Sequence, residues 1–272
     1  MSVARTSADE LFAIAAGCWG YLESEPLDGW ELRAGAGFTN RANSAWPLGP
    51  LRRPLPQALD EVRAWYTERG LTPQVQVTVG SEFDDELTAN GCGAGHDSAL
   101  RQTAEVLPAL EILTAHAHPN VPLSTTERPQ DRWLRLYREG TIPPRAKEIL
   151  GSGADYLYAT IYDESTGEPL SIGRAVLAGE SKSWVGLAAI ETAETARRRG
   201  LARLIIGTLL EWAAEQGAER AMLEVRPEND AALALYGRLG FTTAHRYHYR
   251  TVASTADAEA RMQAQAAPEA QA

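Results

Sequence analysis

The chain has 272 residues, of which 44% are hydrophobic and 23% charged, a composition typical of an ordinary globular protein with one or two domains. Its formal net charge of −10 argues against nucleic acid as the main partner, and it suits either cationic amine partners or solubility alone. Two cysteines, Cys18 and Cys92, are too few for a disulfide framework, so we expect reduced thiols and a cytoplasmic protein. No apolar stretch is long enough to span a bilayer, so no membrane partner is expected.

The first half of the chain alternates helical and extended patterns that end in a linker rich in proline, serine and threonine at 119–129. Periodicity and turn residues predict helices at Ala8–Glu23, Leu55–Arg69 and Glu82–Asn90, a strand from Trp30, and strands at Asn40–Leu48, Val75–Val79, Ser98–Glu105 and Leu110–His118.

The second half follows a similar order and ends in a segment rich in alanine, glutamine and glutamate, residues 254–272, which we expect to be a disordered tail. The patterns predict helices at Gln130–Arg138, Leu201–Gln216 and Asp230–Leu239, and strands at Tyr156–Tyr162, Leu170–Ala178, Trp184–Thr192, Ala221–Val225 and Ala244–Val252.

A short basic turn between a strand and a helix is the strongest functional signal. Residues Arg197 to Ala202 (RRRGLA) follow the apolar Trp184–Thr192 strand and precede the amphipathic Leu201–Gln216 helix. Such a turn directs successive backbone N–H groups and a helix N-terminus at an anion. Gly200 permits a positive φ or the close approach of a ligand. The turn therefore predicts an anion-binding site.

The two halves have a comparable plan of helix, strand, helix and glycine turn. Trp65 precedes Gly70 by the same interval that separates Trp212 from Gly217, which suggests one unit used twice, with chance similarity as the alternative. In the first half the turn is Gly49–Pro54, where prolines remove N–H donors. We expect that copy to lack an anion cradle.

The residues after the basic turn resemble a known site. The R-x-x-G-x-A turn, Glu224-Val225-Arg226, Asn229, Ala232, Tyr236 and Leu239-Gly240-Phe241 resemble the acetyl-CoA site of the GCN5-related N-acetyltransferases (GNATs). The run from Glu224 to Phe241 is similar to the ribosomal-protein alanine N-acetyltransferases. The order DGW-x-LR followed by RANS in the first half resembles a bacterial two-part acetyltransferase family.

The resemblance implies an α/β (α+β) fold with two GNAT-like domains in tandem, each a mixed, mostly antiparallel twisted sheet flanked by helices. The implied limits are a degenerate domain at 1–120 and a catalytic domain at 121–253. It also implies acetyl-CoA as cosubstrate, with the pyrophosphate on the turn and helix start and the pantetheine arm along the preceding strand. The residues expected to bind it are Ile190, Glu191, Thr192, Arg197, Arg198, Arg199, Gly200, Leu201, Ala202, Arg203, Asn229, Ala232 and Tyr236.

Acyl transfer to an amine needs a base, because an alkylamine is almost fully protonated at neutral pH. Glu224 and Glu191 each interrupt an apolar strand, and either is a base or a structural carboxylate. The resemblance to the ribosomal-protein alanine N-acetyltransferases favours Glu224 as the base, with Glu191 second. The resemblance gives Tyr236 the role of protonating the departing thiolate, with helix packing as the alternative. Asn229 is also a natural helix cap.

The sequence leaves the acceptor open. The resemblance suggests a protein N-terminus or a lysine, whereas the tandem plan and acidic charge also allow a polyamine or an aminoglycoside. A sensory module that binds acetyl-CoA without turnover is the competing function. No metal site is expected, since His116, His118, His245 and His248 lack supporting ligands. Either a monomer or a homodimer is compatible with the sequence.

Overall fold

The computed structural model describes residues 6–115 and 119–253, which divide into two compact units. Unit 1 contains residues 6–20 and 100–244, and unit 2 contains residues 21–99 and 245–253. The predicted tail at 254–272 lies outside the described residues, as do His116 and His118. Within the described ranges, no helix has the length and apolar character needed to cross a membrane.

Helices and strands alternate along both units. The helices are α1 Ala8–Gly17, α2 Leu55–Glu68, α3 Glu82–Ala89, α4 Val106–Thr114, α5 Asp131–Leu136, α6 Ala146–Leu150, α7 Leu201–Glu215 and α8 Asp230–Arg238. The strands are β1 Glu23–Leu27, β2 Trp30–Ala34, β3 Ala45–Pro47, β4 Gln74–Thr78, β5 Gly95–Glu105, β6 Leu123–Thr126, β7 Tyr156–Tyr162, β8 Pro169–Ala178, β9 Trp184–Thr192, β10 Arg220–Val225 and β11 Thr242–Thr251.

Each unit has a mixed, mostly antiparallel sheet. In unit 1 the strand order is β5-β10-β9-β8-β7-β6, and β9 with β10 is the parallel pair. In unit 2 the order is β1-β2-β3-β4-β11, and β3 with β4 is the parallel pair. The predicted fold class, a mixed α/β architecture of sheets flanked by helices, is confirmed.

Helix α7 packs against the sheet of unit 1 as its amphipathic pattern predicts. Ile205, Leu209 and Ala213 follow the four-residue spacing of one helix face, and all three are completely buried. Gly173 on β8 allows this close contact, because a Cβ atom there would lie 2.4 Å from Ile205 Cγ2. The helix start, which the anion-binding prediction concerns, is thus fixed to the sheet by tight packing.

Two predictions between the halves were wrong. Residues 110–118, expected as a strand, belong in their described part to helix α4, whose buried Val106, Ala109 and Leu113 have helical spacing. The expected linker at 119–129 contains strand β6, which pairs with β7. Residues 110–118 are a short, mostly apolar run, where alternation and helical periodicity are difficult to distinguish, whereas the proline, serine and threonine of 119–129 favoured a linker although four of its residues pair as β6.

Other limits also differ from the prediction. Helix α1 ends at Gly17 instead of Glu23, because the residues from Glu23 pair as strand β1 with β2. The strand expected at Asn40–Leu48 is reduced to β3, preceded by a 3₁₀ turn at Asn40–Ala42. Helix α6 was not predicted from the sequence.

The two units do not follow the limits 1–120 and 121–253. Unit 1 includes α1, and Cys18, the residue that follows this helix, packs against Gly186 of β9, where a Cβ atom would lie 2.4 Å from Cys18 Sγ. It also includes the second part of β5, which pairs with β10 from Leu100 to Glu105. That residues 1–120 form a degenerate copy of the second half stays a prediction.

Candidate active site

Strands β9 and β10 separate toward their carboxyl ends. Their parallel register runs from Trp184 opposite Arg220 to Leu187 opposite Leu223 and ends there in the described part of the chain. The last residues of β10 continue to pair on its other side with β5, so Glu224 lies opposite Arg101. Because two parallel strands place their carboxyl ends at one sheet edge, the segments that follow β9 and β10 start at the same edge of unit 1.

A β-bulge lies near the end of β9. Arg174 of β8 is opposite Ala188, but Ile172 is opposite Glu191, so β9 has one residue more than its partner. Ala189 has a φ of 54°, a left-handed conformation that suits the extra residue of a bulge. Beyond the bulge, Ile190 lies on the α7 face, where its Cδ1 would be 2.8 Å from a Cβ atom on Gly173. Glu191 consequently lies on the opposite face.

The basic turn ends in an open helix start. Gly200 is the N-cap of α7 with a φ of 79°, and no side chain of the described residues caps this helix. Its carbonyl accepts a hydrogen bond from Leu204 N at 3.2 Å, so the helix ladder begins there. The N–H groups of residues 201–203 are those that a helix leaves without an internal partner. A Cβ atom on Gly200 would meet only Pro119 Cδ, at 4.0 Å, among the described atoms.

The arginines of the turn differ in their surroundings. Arg197 lies 3.7 Å from Glu194 in an exposed ion pair, and Arg203 donates a hydrogen bond to the Ile112 carbonyl at 3.3 Å. Arg198 and Arg199 are exposed, and Arg198 has a positive φ of 62°. Exposed guanidinium groups beside open backbone N–H groups give this turn the positive charge and the donors that an anion-binding site requires.

Tyr236 lies on α8, the helix that follows β10. Its side chain is buried, with its ring 5.9 Å from that of Phe241, and burial raises the pKa of the phenol to about 12. The phenol is therefore fully protonated at neutral pH. Asn229 caps the same helix, because its Oδ1 accepts a hydrogen bond from Ala232 N at 3.1 Å, which confirms the predicted cap.

Glu224 is held in a buried ion pair. Its Oε1 accepts hydrogen bonds from Nη2 and Nε of Arg101 at 2.7 and 3.2 Å, and the Arg101 side chain is fully buried. Arg101 was missed from the sequence. A charged residue within a strand was visible there, but the register that places Arg101 opposite Glu224 was not.

Glu191 has a different environment. Its Oε2 accepts a hydrogen bond from the backbone N–H of Arg138 at 3.1 Å. Burial raises the pKa of the Glu191 carboxyl, and the hydrogen bond from Arg138 opposes that shift. Arg138 and Glu139 both have positive φ values, 50° and 55°, in the turn after α5. The only sequence signal for this turn was the glycine that ends it, so the contact of Arg138 was missed.

The predicted site residues all lie in unit 1, at or after the carboxyl-terminal parts of β9 and β10. The basic turn and the start of α7 follow the carboxyl end of β9. The start of α8 follows the carboxyl end of β10, and these two parallel strands end at the same edge. Ser171 on β8 supports the strand end, since its hydroxyl donates to the Glu191 carbonyl at 3.0 Å and lies 2.8 Å from Thr192 Oγ1. Within residues 6–115 and 119–253, no group of side chains has the composition of a metal site.

The chain has relatives along almost its whole length. A family model described as "Probable histone acetyltransferase Rv0428c C-terminal" matches residues 9–250. The probable histone acetyltransferase Rv0428c of Mycobacterium tuberculosis is 31% identical over 239 residues, which cover 86% of this chain and 70% of that protein. The uncharacterized N-acetyltransferase YobR of Bacillus subtilis is 28% identical over 250 residues, covering 87% and 95%.

A solved structure has a similar fold. A tandem GNAT protein from the clavulanic acid biosynthesis pathway, without AcCoA, covers 91% of this chain and 94% of its own, with a TM-score of 0.62 and 15% identity. At that identity the likeness concerns the fold alone. The chain belongs to the Rv0428c C-terminal acetyltransferase family and is an N-acetyltransferase of the GNAT superfamily.

Proposed function

We propose that this N-acetyltransferase moves an acetyl group from acetyl-CoA to a primary amine by direct attack in a ternary complex, at the separated ends of β9 and β10. The observation that carries the proposal is the uncapped start of α7 at Gly200, which follows the end of β9 that no longer pairs with β10. A helix start with open N–H groups and a positive dipole end suits a pyrophosphate. Acetyl-CoA would supply the activated acetyl thioester.

The residues at this edge fit such a cosubstrate. The backbone N–H groups of Leu201, Ala202 and Arg203 would bind the pyrophosphate, with charge-assisted contacts from the exposed side chains of Arg198 and Arg199. The edge of β9 that faces away from β8 would pair with the amide groups of the pantetheine arm through Ile190, Glu191 and Thr192. Asn229 and Ala232, at the start of the helix that follows β10, would line the other side of the arm.

We propose Glu191 as the base in place of Glu224. Glu224 is engaged by a fully buried Arg101 in an ion pair, so its carboxylate already has a charged partner. Glu191 is only partly buried, and its raised pKa makes it a stronger proton acceptor. We assign to Glu191 the removal of a proton from the acceptor ammonium, and to Arg101 with Glu224 a structural role.

We assign to Tyr236 the donation of a proton to the leaving group. Its neutral phenol would donate a proton to the thiolate that leaves when the amide bond forms. Burial keeps this phenol protonated at physiological pH, and because the same shift makes it a weaker acid than a free phenol, the transfer requires hydrogen-bond contact with the sulfur.

The central test is the Tyr236→Phe variant, with Tyr162→Phe in β7 as the matched control. We expect Tyr236→Phe to bind acetyl-CoA as well as the unmodified protein in calorimetry and to release thiol about tenfold or more slowly. Tyr162→Phe should leave both properties unchanged. Unchanged turnover in Tyr236→Phe would remove this residue from the mechanism. Binding of acetyl-CoA without turnover on any amine would favour a sensory function.

For the acceptor we propose a protein amine, an N-terminus or a lysine, because the relative from M. tuberculosis is named as a probable histone acetyltransferase. The acidic net charge of −10 suits a cationic acceptor but does not separate a basic protein from a polyamine or an aminoglycoside. A thiol-release screen should compare basic peptides with free and blocked N-termini, polyamines and aminoglycosides. Turnover on the small amines alone would contradict the protein acceptor.

A further inference from the structure

Unit 1 has a cavity at the end of β9 and β10 that lies opposite to the proposed acyl-transfer site. It has a volume of about 300 Å³, at the small end of the range for ligand sites. Trp184 and Arg220, the first residues of β9 and β10, lie opposite each other in the sheet and line this cavity. Because β9 has 9 residues, its two ends lie about 26 Å apart, which separates this cavity from the proposed acyl-transfer site.

A guanidinium group with available donors lies in the cavity wall. Arg220 Nη1 donates a hydrogen bond to Thr6 Oγ1 at 2.6 Å, and the guanidinium carbon lies 5.5 Å from the centre of the Trp184 ring. A guanidinium carries five N–H donors, so the bond to Thr6 leaves donors for a further acceptor. The ring and the threonine fix the orientation of this cation without neutralising it.

A carboxylate of opposite sign lies beside it. Glu105 is directly opposite Arg220 on the neighbouring strand β5, and Glu105 Oε1 lies 3.8 Å from Arg220 Nε. That distance exceeds hydrogen-bond range, so the two groups attract each other without a direct hydrogen bond. The side chain of Glu105 is 49% exposed and that of Arg220 is 28% exposed, so a ligand can reach both.

The rest of the lining is compact and partly apolar. Leu11 of α1 and Trp184 are both almost fully buried and give the cavity an apolar wall. Thr103 on β5 and Thr242 on β11 also line the cavity, and Thr242 lies at an exposed position. The site therefore offers a cation, an anion, hydroxyl groups and a small apolar surface.

This combination selects against ligands with one charge. A simple anion would be attracted by Arg220 but repelled by Glu105, and a simple amine would meet the reverse arrangement. A ligand with a carboxylate and an ammonium a few ångströms apart satisfies both groups together. We propose that this cavity binds a free α-amino acid, with its carboxylate on Arg220, its ammonium on Glu105 and an apolar side chain against Leu11 and Trp184.

The test is calorimetric titration of the full chain with the individual proteinogenic amino acids. We expect binding by a subset with apolar side chains. The amide of a binding amino acid lacks the anion and its N-acetyl derivative lacks the cation, so each should bind about tenfold or more weakly. Equal binding by acetate or phosphate would show an anion site and overturn the proposal. Absence of binding by every amino acid would overturn it as well.

Variants locate the binding site. Glu105→Gln, at a half-exposed position, and Arg220→Met should each weaken amino-acid binding about tenfold or more. Thr242→Trp, at an exposed position, should block the cavity without disturbing the core. Glu191→Gln is the control, because it alters the acyl-transfer site and should retain amino-acid binding. Loss of binding in Glu191→Gln with retention in the other three would place the amino acid in the acceptor site and contradict the proposal.

Discussion

Gly200 allows the proposed anion site to be tested by two substitutions that differ only in charge. Gly200→Gln and Gly200→Glu place side chains of nearly equal shape at the N-cap of α7. Both must adopt the left-handed φ of 79°, which costs a residue with a side chain about 1–2 kcal/mol. Since a Cβ atom meets only Pro119 Cδ at 4.0 Å among the described atoms, no further steric cost is expected. The two variants should therefore lose similar stability.

Their affinities for acetyl-CoA should differ because of charge. The carboxylate of Gly200→Glu would lie beside the pyrophosphate, where two unit charges 4 Å apart repel by about 1 kcal/mol in water and about 4 kcal/mol near a protein surface. This corresponds to a loss of affinity between roughly fivefold and about a thousandfold relative to Gly200→Gln. Added salt should reduce the difference, because ionic screening weakens the repulsion between exposed charges.

Calorimetric titration with acetyl-CoA at low and high salt measures this difference, and denaturant unfolding checks that both variants are folded. Equal affinities of the two variants at low salt would show that no phosphate lies at the start of α7. The cosubstrate would then bind elsewhere, and the roles of Tyr236 and Glu191 would lose their basis.

Three further comparisons test other parts of the structure. Glu191→Gln should slow turnover about a hundredfold and remove the acidic limb of the pH–rate profile, whose pKa burial raises above the ordinary value of 4.5. Glu224→Gln should instead mainly lower the free energy of unfolding, because it breaks the buried ion pair with Arg101. The reverse result would restore Glu224 as the base. Gly173→Ala should destabilise the protein by about 1–3 kcal/mol in denaturant unfolding, because the new methyl group meets Ile205. Gly237→Ala in α8, with open space around it, should stabilise the protein by about 0.5–1 kcal/mol. Equal effects would contradict the close packing of α7 against Gly173. Asn229→Ala should cost about 1 kcal/mol of stability through the lost cap and also weaken acetyl-CoA binding; a stability loss alone would limit this residue to the cap.

The sequence was sufficient to predict what depends on local patterns. The α7 helix, the capping role of Asn229 and the glycine turn each depend on residues within a few positions of one another. Tyr236 was placed through resemblance to known enzymes. The helix and its cap can be predicted from the sequence because helix periodicity and capping involve residues that are close along the chain.

Long-range pairing accounts for what was missed. Arg101 lies 123 residues before Glu224, and Arg138 lies 53 residues before Glu191, so neither contact has a signature in the local pattern. The preference for Glu224 as base came from similarity to a related run of residues, and the sequence could not show the buried partner that engages it. Alternation also misleads within β9, since counting from Leu187 would place Glu191 on the α7 face, whereas the bulge at Ala189 places it on the other face.

That bulge also bears on the gap between β9 and β10. A bulge bends its strand and increases the local twist, and the pairing of β9 with β10 ends at Leu187, two residues before Ala189. Removing Ala189 would keep Glu191 opposite Ile172, so the segment from Glu191 to Gly200 would keep its length and only the bend would be lost. The opening in which a bound cosubstrate would lie would thus depend on a single surplus alanine.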